Sequence, residues 1–169
     1  VNYIAPRPLS VGDDVDDFGC RSNEQTSWLT HHAKQSVASS TTRVFVVTHD
    51  GGGPVVASSA WTMAQFHAAN APRRLTKGSG RYPQPVALLA RLEIDRRHEG
   101  RGIDAALLRD VIARVLVIAD GTGCLGLLIH AEGDEARNFS LHLIPELEPS
   151  PTDRLHLVLL MKVAIRTIR

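Results

Sequence analysis

Two near-continuous apolar runs, residues 86–94 and 124–131, flank one amphipathic stretch, and that order constrains the fold more than any other feature of the chain. Only Arg91 and Glu93 interrupt the first run, the pattern of a central strand covered on both faces. Between the runs, Ile103, Leu107, Val111, Val115 and Ile118 recur at helical spacing, which predicts a helix of about four turns. Gly121 and Gly123 end it. Strand, helix and second buried strand in this order make a parallel crossover, and therefore a mixed α/β fold.

The flanking segments extend this unit. Ser22-Asn23-Glu24-Gln25 has the spacing of a capping box, in which the serine oxygen accepts an early helical N–H. Trp28, Leu29, Ala33 and Val37 follow near helical spacing, so a helix is expected from about residue 23 to about residue 37. Residues 43–48 are rich in β-branched side chains and read as a strand. Asp50-Gly51-Gly52-Gly53-Pro54 then turns the chain into a returning strand over 55–63. Residues 70–85 read as a basic loop punctuated by proline and glycine. Asp134 is placed to cap a short helix carrying Ala136, Phe139 and Leu143, and residues 155–163 read as a last apolar strand. The expected architecture is an antiparallel front half followed by the parallel crossover, in a single domain spanning 1–169.

Composition excludes several classes. With 169 residues, 43% of them hydrophobic and 22% charged, the chain is globular rather than disordered. A formal net charge of +1 gives no global attraction for a polyanion. The charge is uneven, however: Asp13, Asp14, Asp16 and Asp17 crowd one segment, and Arg73, Arg74, Lys77 and Arg81 fall in a stretch without an acid. Cys20 and Cys124 are distant and form no C-x-x-C pair, so no zinc site is expected. Residues 1–10 lack the cationic-then-apolar pattern of a secretory signal. No apolar run approaches the roughly 18 residues of a membrane span. The expectation is a cytoplasmic protein with free thiols, no metal and no membrane partner.

Chemistry concentrates in Arg97-His98-Glu99-Gly100-Arg101-Gly102, between the first apolar run and the amphipathic helix. Glycines there let the backbone approach a ligand closely. The N–H groups of the loop and the first helical turn converge on an anion. Arg97 and Arg101 add positive charge, and a diphosphate suits such a cradle. The same pattern also occurs in plain strand-to-helix turns.

Arg-x-x-Gly-x-Gly in this position resembles the acetyl-CoA pyrophosphate motif of the GNAT acetyltransferases. The run ending at Ile94-Asp95 resembles that family's fourth strand, Ala106-Leu107-Leu108-Arg109-Asp110 its following helix, and residues 129–139 its fifth strand and fourth helix. Phe18-Gly19-Cys20 with Trp28-Leu29, the basic stretches Ala71-Pro72-Arg73-Arg74 and Arg81-Tyr82-Pro83-Gln84-Pro85, and Pro149-Ser150-Pro151-Thr152-Asp153 resemble the branch of toxins that acetylate aminoacyl-tRNA.

The resemblance implies a mixed sheet splayed between strands 4 and 5 and flanked by helices. It implies acetyl-CoA as cosubstrate, held by the backbone of Leu92, Glu93 and Ile94 and by Arg97, His98, Glu99, Gly100, Arg101, Gly102, Ile103, Asp104 and Ala105. A backbone N–H near Leu92 would polarise the acetyl carbonyl. The acceptor implied is the α-amine of aminoacyl-tRNA, met by Arg73, Arg74, Lys77, Arg81 and Arg91. A ribbon-helix-helix antitoxin and a second copy of the chain are the implied protein partners.

Several residues depart from the family pattern. Ser140 stands where the family carries the catalytic tyrosine that protonates the leaving thiolate, and a serine hydroxyl is a far weaker acid than a phenol. Asp104 stands where relatives often carry glycine, Ser58 and Ser59 where they often carry tyrosine, and Gly133 where many carry asparagine. Glu93 reads either as a base acting through water or as an exposed strand residue paired with an arginine. His98, His130 and His142 read as structural or surface groups. Acetylation of a small-molecule or protein amine, and a non-catalytic CoA- or antitoxin-binding role, remain the rival functions.

Overall fold

The computed structural model describes residues 2–73 and 82–167. Its elements run β1 (Arg7–Pro8), α1 (Asn23–His31), α2 (Ala33–Ala38), β2 (Arg43–Val47), β3 (Ala57–Phe66), β4 (Gln84–Ile94), α3 (Ile103–Gly121), β5 (Gly126–His130), α4 (Asp134–Leu143), β6 (Glu148–Pro149), β7 (His156–Leu160) and α5 (Met161–Thr167). The strands are hydrogen-bonded in the order β1-β2-β3-β4-β5-β7-β6. β1, β2 and β3 pair antiparallel, whereas β4 and β5 pair parallel, which is the mixed sheet that the run–helix–run pattern predicts. β5 then pairs antiparallel with β7.

The chain packs as two compact units, Val1–Thr62 with Ala90–Asp110, and Met63–Leu89 with Val111–Arg169. In the first unit, one face of the sheet buries Val44, Val46 and Ala60 against Leu29 and Ala33 of α1 and α2, together with Phe18 and Cys20. A second cluster joins Val47, Val56 and Ala57 to Ile103 and Leu107 at the start of α3, with Leu92 and Ile94 packed alongside. Alternation along the strands produces the two faces: Val44 and Val46 go one way, Val47 the other. In the second unit, Val86, Leu128, Val158 and Leu160 form a core with Phe66.

Parallel pairing of β4 with β5 covers Val86↔Gly126 to Leu89↔Ile129. β4 continues beyond that register to Ile94. At its far end the Asp95 N–H donates to the Val56 carbonyl at 2.8 Å. The segment expected to hold the cosubstrate, Leu92 to Ile94, therefore lies past the last β5 pair.

Several boundaries differ from the sequence reading. The helix expected over 23–37 is two helices that meet at His32, whose φ of −123° is not helical. Thr30-His31-His32 are weak helix formers, and Thr30 Oγ1 donates back to the Thr26 carbonyl. The start is as read: Ser22 Oγ accepts the Gln25 N–H at 3.2 Å. Asp134 is not the cap of α4. Gly133 holds that position, and the Asp134 carboxylate pairs with Arg154 instead. The last strand ends at Leu160, and residues from Met161 turn into α5. Residues 74–81, half of the 70–85 loop, lie outside the described residues; β4 begins at Gln84 rather than at 86. Cys20 and Cys124 are free thiols, and no described helix is long and apolar enough to cross a membrane.

Candidate active site

The loop after β4 is organised by Asp95. Its buried carboxylate accepts the Arg97 N–H at 2.9 Å and the Gly19 N–H at 3.1 Å. It also takes two hydrogen bonds from the Arg97 guanidinium, from Nε at 2.9 Å and Nη2 at 2.8 Å. These bonds, led by the one from the Arg97 side chain, hold the Asp95 carboxyl far below the usual carboxylate range. They also fold Arg96–His98 into one 3-10 turn, and the sequence reading of residues 96–102 missed this organiser. An aspartate two residues before the N–H it accepts was the available signal.

Beyond the turn, Gly100 and Gly102 take positive φ, +72° and +76°. A side chain at either would meet no atom within 4 Å, so what demands glycine is the left-handed backbone rather than crowding. The chain then enters α3, nineteen residues long. Its first turn carries N–H groups without helical acceptors. Ala105 N–H is taken by Asp104 Oδ1 at 2.8 Å, and Ala106 N–H by the Gly102 carbonyl at 3.1 Å. An open, glycine-bent entry to a long helix fits a diphosphate, by dipole and by direct N–H donation. Asp104 works against this fit, because its carboxylate already occupies one donor and adds a negative charge.

The charged side chains of the loop are largely engaged within the protein. Arg97, expected to supply charge to the cradle, is neutralised by Asp95 and donates to the Asp17 carbonyl. Glu99 is gripped by Arg21 at 2.9 Å. Arg101 is exposed and donates to the Tyr3 hydroxyl at 2.8 Å, and that hydroxyl lies 2.8 Å from His98 Nδ1. Tyr3 was not anticipated: nothing in the local sequence links residues 3, 98 and 101, and only the fold brings them together.

Glu93 is not the exposed strand residue weighed above. It is 3% exposed, accepts Ser58 Oγ–H at 2.9 Å and lies 3.8 Å from Cys20 Sγ. Burial raises the Cys20 thiol above its usual pKa, so it sits beside the carboxylate as a neutral group. Ser58, where relatives often carry tyrosine, thus anchors Glu93. Ser59 Oγ is buried with no partner among the described residues.

The other expected residues are placed separately. Ser140 is buried in α4 and donates to the Ala136 carbonyl of its own helix at 2.9 Å. Arg91 pairs with Glu24 at 3.2 Å and lies 4.6 Å from the centre of the Trp28 ring, a cation–π contact. Arg73 is exposed, while Arg74, Lys77 and Arg81 lie outside the described residues. Among the described residues, no group of His, Cys, Asp or Glu is arranged to hold a metal ion.

Comparison with known proteins sets this geometry in context. No family model matches the chain. The chain is 41% identical over 162 residues to a tRNA-acetylating toxin of Mycobacterium tuberculosis, covering 96% of this chain and 95% of that protein. It is 30% identical over 133 residues to a probable toxin TacT of Sinorhizobium fredii, covering 75% and 71%. Among solved structures, AtaT complexed with acetyl-methionyl-tRNAfMet superposes with a TM-score of 0.88 at 21% identity, covering 99% of this chain and 100% of that one. A tyrosine-to-phenylalanine mutant of AtaT bound to acetyl-CoA and the C-terminus of the antitoxin AtaR superposes at 0.79 and 19% identity, covering 97% and 96%. At those identities the two structures establish the shared fold.

Proposed function

The chain belongs to the tRNA-acetylating toxins of the GNAT acetyltransferases, and from that premise we propose that it transfers acetyl from acetyl-CoA to the α-amine of aminoacyl-tRNA and so blocks translation. The observation that carries the reading is the pair of positive-φ glycines opening a nineteen-residue helix, in a chain 41% identical to a tRNA-acetylating toxin along almost its whole length.

Acetyl-CoA supplies an acyl carbon activated as a thioester. Within residues 97–105, the N–H groups from Glu99 to Asp104 hold its phosphates, those of Arg97, His98 and Ala105 being taken by Asp95 and Asp104, with Arg101 as the exposed cation; Leu92, Glu93 and Ile94 offer strand backbone to the pantetheine. A backbone N–H at Leu92 stabilises the oxygen on which charge develops. The neutral α-amine attacks the acyl carbon, a C–N bond forms, the C–S bond breaks, and the amine proton is lost to solvent or through water to Glu93. An amine bound to an aminoacyl ester is less basic than a lysine, so a weak base suffices. The leaving thiolate takes its proton from water, because the Ser140 hydroxyl is committed to Ala136. Turnover is therefore slow relative to members with a phenol at this position.

Arg73, Arg74, Lys77 and Arg81 contact tRNA phosphates, which supply affinity without sequence reading. Arg91, stacked on Trp28, flanks the acceptor end. The protein works in the cytoplasm as a homodimer, neutralised by a ribbon-helix-helix antitoxin; the complex of AtaT with the C-terminus of the antitoxin AtaR supports an antitoxin as partner.

The test is incubation of purified protein with labelled acetyl-CoA and charged tRNA, uncharged tRNA or free amines. Label on charged tRNA alone is expected. Label on free amines would replace this reading with a small-amine acetyltransferase. Acetyl-CoA binding without any transfer would make the chain a binding member, the reading that the engaged Ser140 hydroxyl favours.

A further inference from the structure

We propose that Tyr3 is a positioning residue for the acetyl-CoA loop: its hydroxyl bridges His98 to Arg101 and presets the loop in the shape that receives the coenzyme's phosphates. The proposal rests on the function argued above and names the residue that prepares the site for its cosubstrate.

Tyr3 is fixed before it reaches the loop. It forms a β-bridge with His49 just beyond β2. Backbone bonds on either side, Ile4 N–H to the Thr48 carbonyl and Asp50 N–H to the Asn2 carbonyl, both 2.9 Å, clamp its Cα. The ring stacks on His49 with centroids 5.2 Å apart and packs against the cluster of Val47, Val56, Ala57, Ile103 and Leu107, against which Leu92 and Ile94 also pack. Leu92 and Ile94 precede the loop and Ile103 and Leu107 follow it, so Tyr3 belongs to the packed group that holds both of its ends. The hydroxyl is thereby presented to the loop at a set height, 2.8 Å from His98 Nδ1 and 2.8 Å from Arg101 Nη1.

The proton count is specific. Arg101 can only donate, so the phenol oxygen accepts from it. The phenol's single proton goes to His98 Nδ1 in the neutral tautomer that carries its proton on Nε2. Burial, then the adjacent His49, Arg101 and Arg97, hold His98 below its usual pKa, with Asp95 pulling the other way. His98 is therefore neutral at neutral pH, the charge state in which Nδ1 can accept the phenol proton. Arg101, at the second position of Gly-x-Gly, is held with its guanidinium fixed rather than sweeping solvent. Fixing a flexible cation before the ligand arrives lowers the entropy lost on binding.

Acetyl-CoA titration by calorimetry, with steady-state kinetics on charged tRNA, tests the bridge in the full chain. Tyr3→Phe keeps the ring and its stack on His49 but removes both hydrogen bonds. Its Kd and KM for acetyl-CoA should rise about five- to tenfold, the scale of one lost ordinary hydrogen bond, with kcat within about twofold of wild type. His98→Leu should show a similar rise, and the double variant should be no worse than the poorer single, because both remove one shared interaction. His98→Asn, which retains an acceptor, should bind at least about threefold tighter than His98→Leu, and this pair decides the matter if Tyr3→Phe does not fold. A Tyr3→Phe protein with wild-type Kd, or fully additive losses in the double variant, overturns the bridge. Wild-type protein that fails to bind acetyl-CoA overturns the function itself, a separate result.

Discussion

At the scale of single residues, the proposed mechanism makes turnover depend on Ser140. It is 6% exposed and its hydroxyl is spent on the carbonyl one helical turn back, a local bond that serine commonly makes in helices. To protonate a thiolate it would have to break that bond, and its acidity is far below that of a phenol. Ser140→Tyr should therefore raise kcat on charged tRNA at least about tenfold, within the range a general acid commands. Ser140→Phe fills the same space without a proton and should not. Single-turnover rates for the two variants measure the difference; equal rates would show that the acid is not missing at this position. The position of Ser140 was legible because Phe139 precedes it in a recognisable helix. Its hydrogen bond was not, since any serine in a helix can point outward or backward. Glu93 shows the same boundary. Its place on β4 followed from the apolar run, but its burial against Ser58 and Cys20 depended on strand pairings and loop contacts far away in the sequence.

At the scale of elements, legibility follows how local the determining contacts are. The start of α1 is set by a serine three residues from the N–H it caps, so it was readable. The end of β7 is not local. Residues 155–163 form one apolar run that suits strand or helix equally. The switch occurs at Met161, whose N–H donates to the Leu125 carbonyl at 3.1 Å. Gly126 is a further element-scale feature hidden from pattern reading. It opens β5 opposite Leu160, and a Cβ built there would sit 2.8 Å from the Leu159 carbonyl oxygen. That obstacle is backbone in a paired strand, so it cannot swing aside. Gly126→Ala should cost about 1–3 kcal/mol of stability, the typical scale of overpacking. Gly121→Ala, at the end of α3 with open space around it, should change stability by less than about 1 kcal/mol, the helix-propensity difference. Urea melts of the two variants compare them directly, and equal losses would show that the close approach across β5 and β7 is relieved by a small shift of the strands.

At the scale of the whole molecule, a net charge of +1 conceals strong local electrostatics. The front sheet is tied to the segment before α1 by two carboxylates. Asp13 accepts from both ends of the Arg7 guanidinium, at 2.6 and 2.9 Å, while its own carbonyl takes Lys34 Nζ at 2.7 Å. The Arg7 hydrogen bonds, against some opposing burial, hold the Asp13 carboxyl at about 2. Asp95 joins Gly19 to the loop after β4 and is depressed further by Arg97. A carboxyl whose folded pKa lies below its unfolded value contributes stability that is complete above the unfolded value, near 4, and is lost as pH falls through the folded one. Both groups therefore leave stability unaffected from pH 7 down to about 5 and withdraw it progressively below about 4. Asp95→Asn removes a buried acceptor of charged and backbone donors, so at pH 7 it should lose about 1.5–3 kcal/mol in urea melts. Its deficit against wild type should then shrink as the pH is lowered from about 4 towards 2, because unfolded wild-type protein takes up a proton at Asp95 while the folded protein does not. A deficit that stayed constant across that range would mean that the carboxyl's hydrogen-bonding shape, rather than its charge, ties the loop to Gly19.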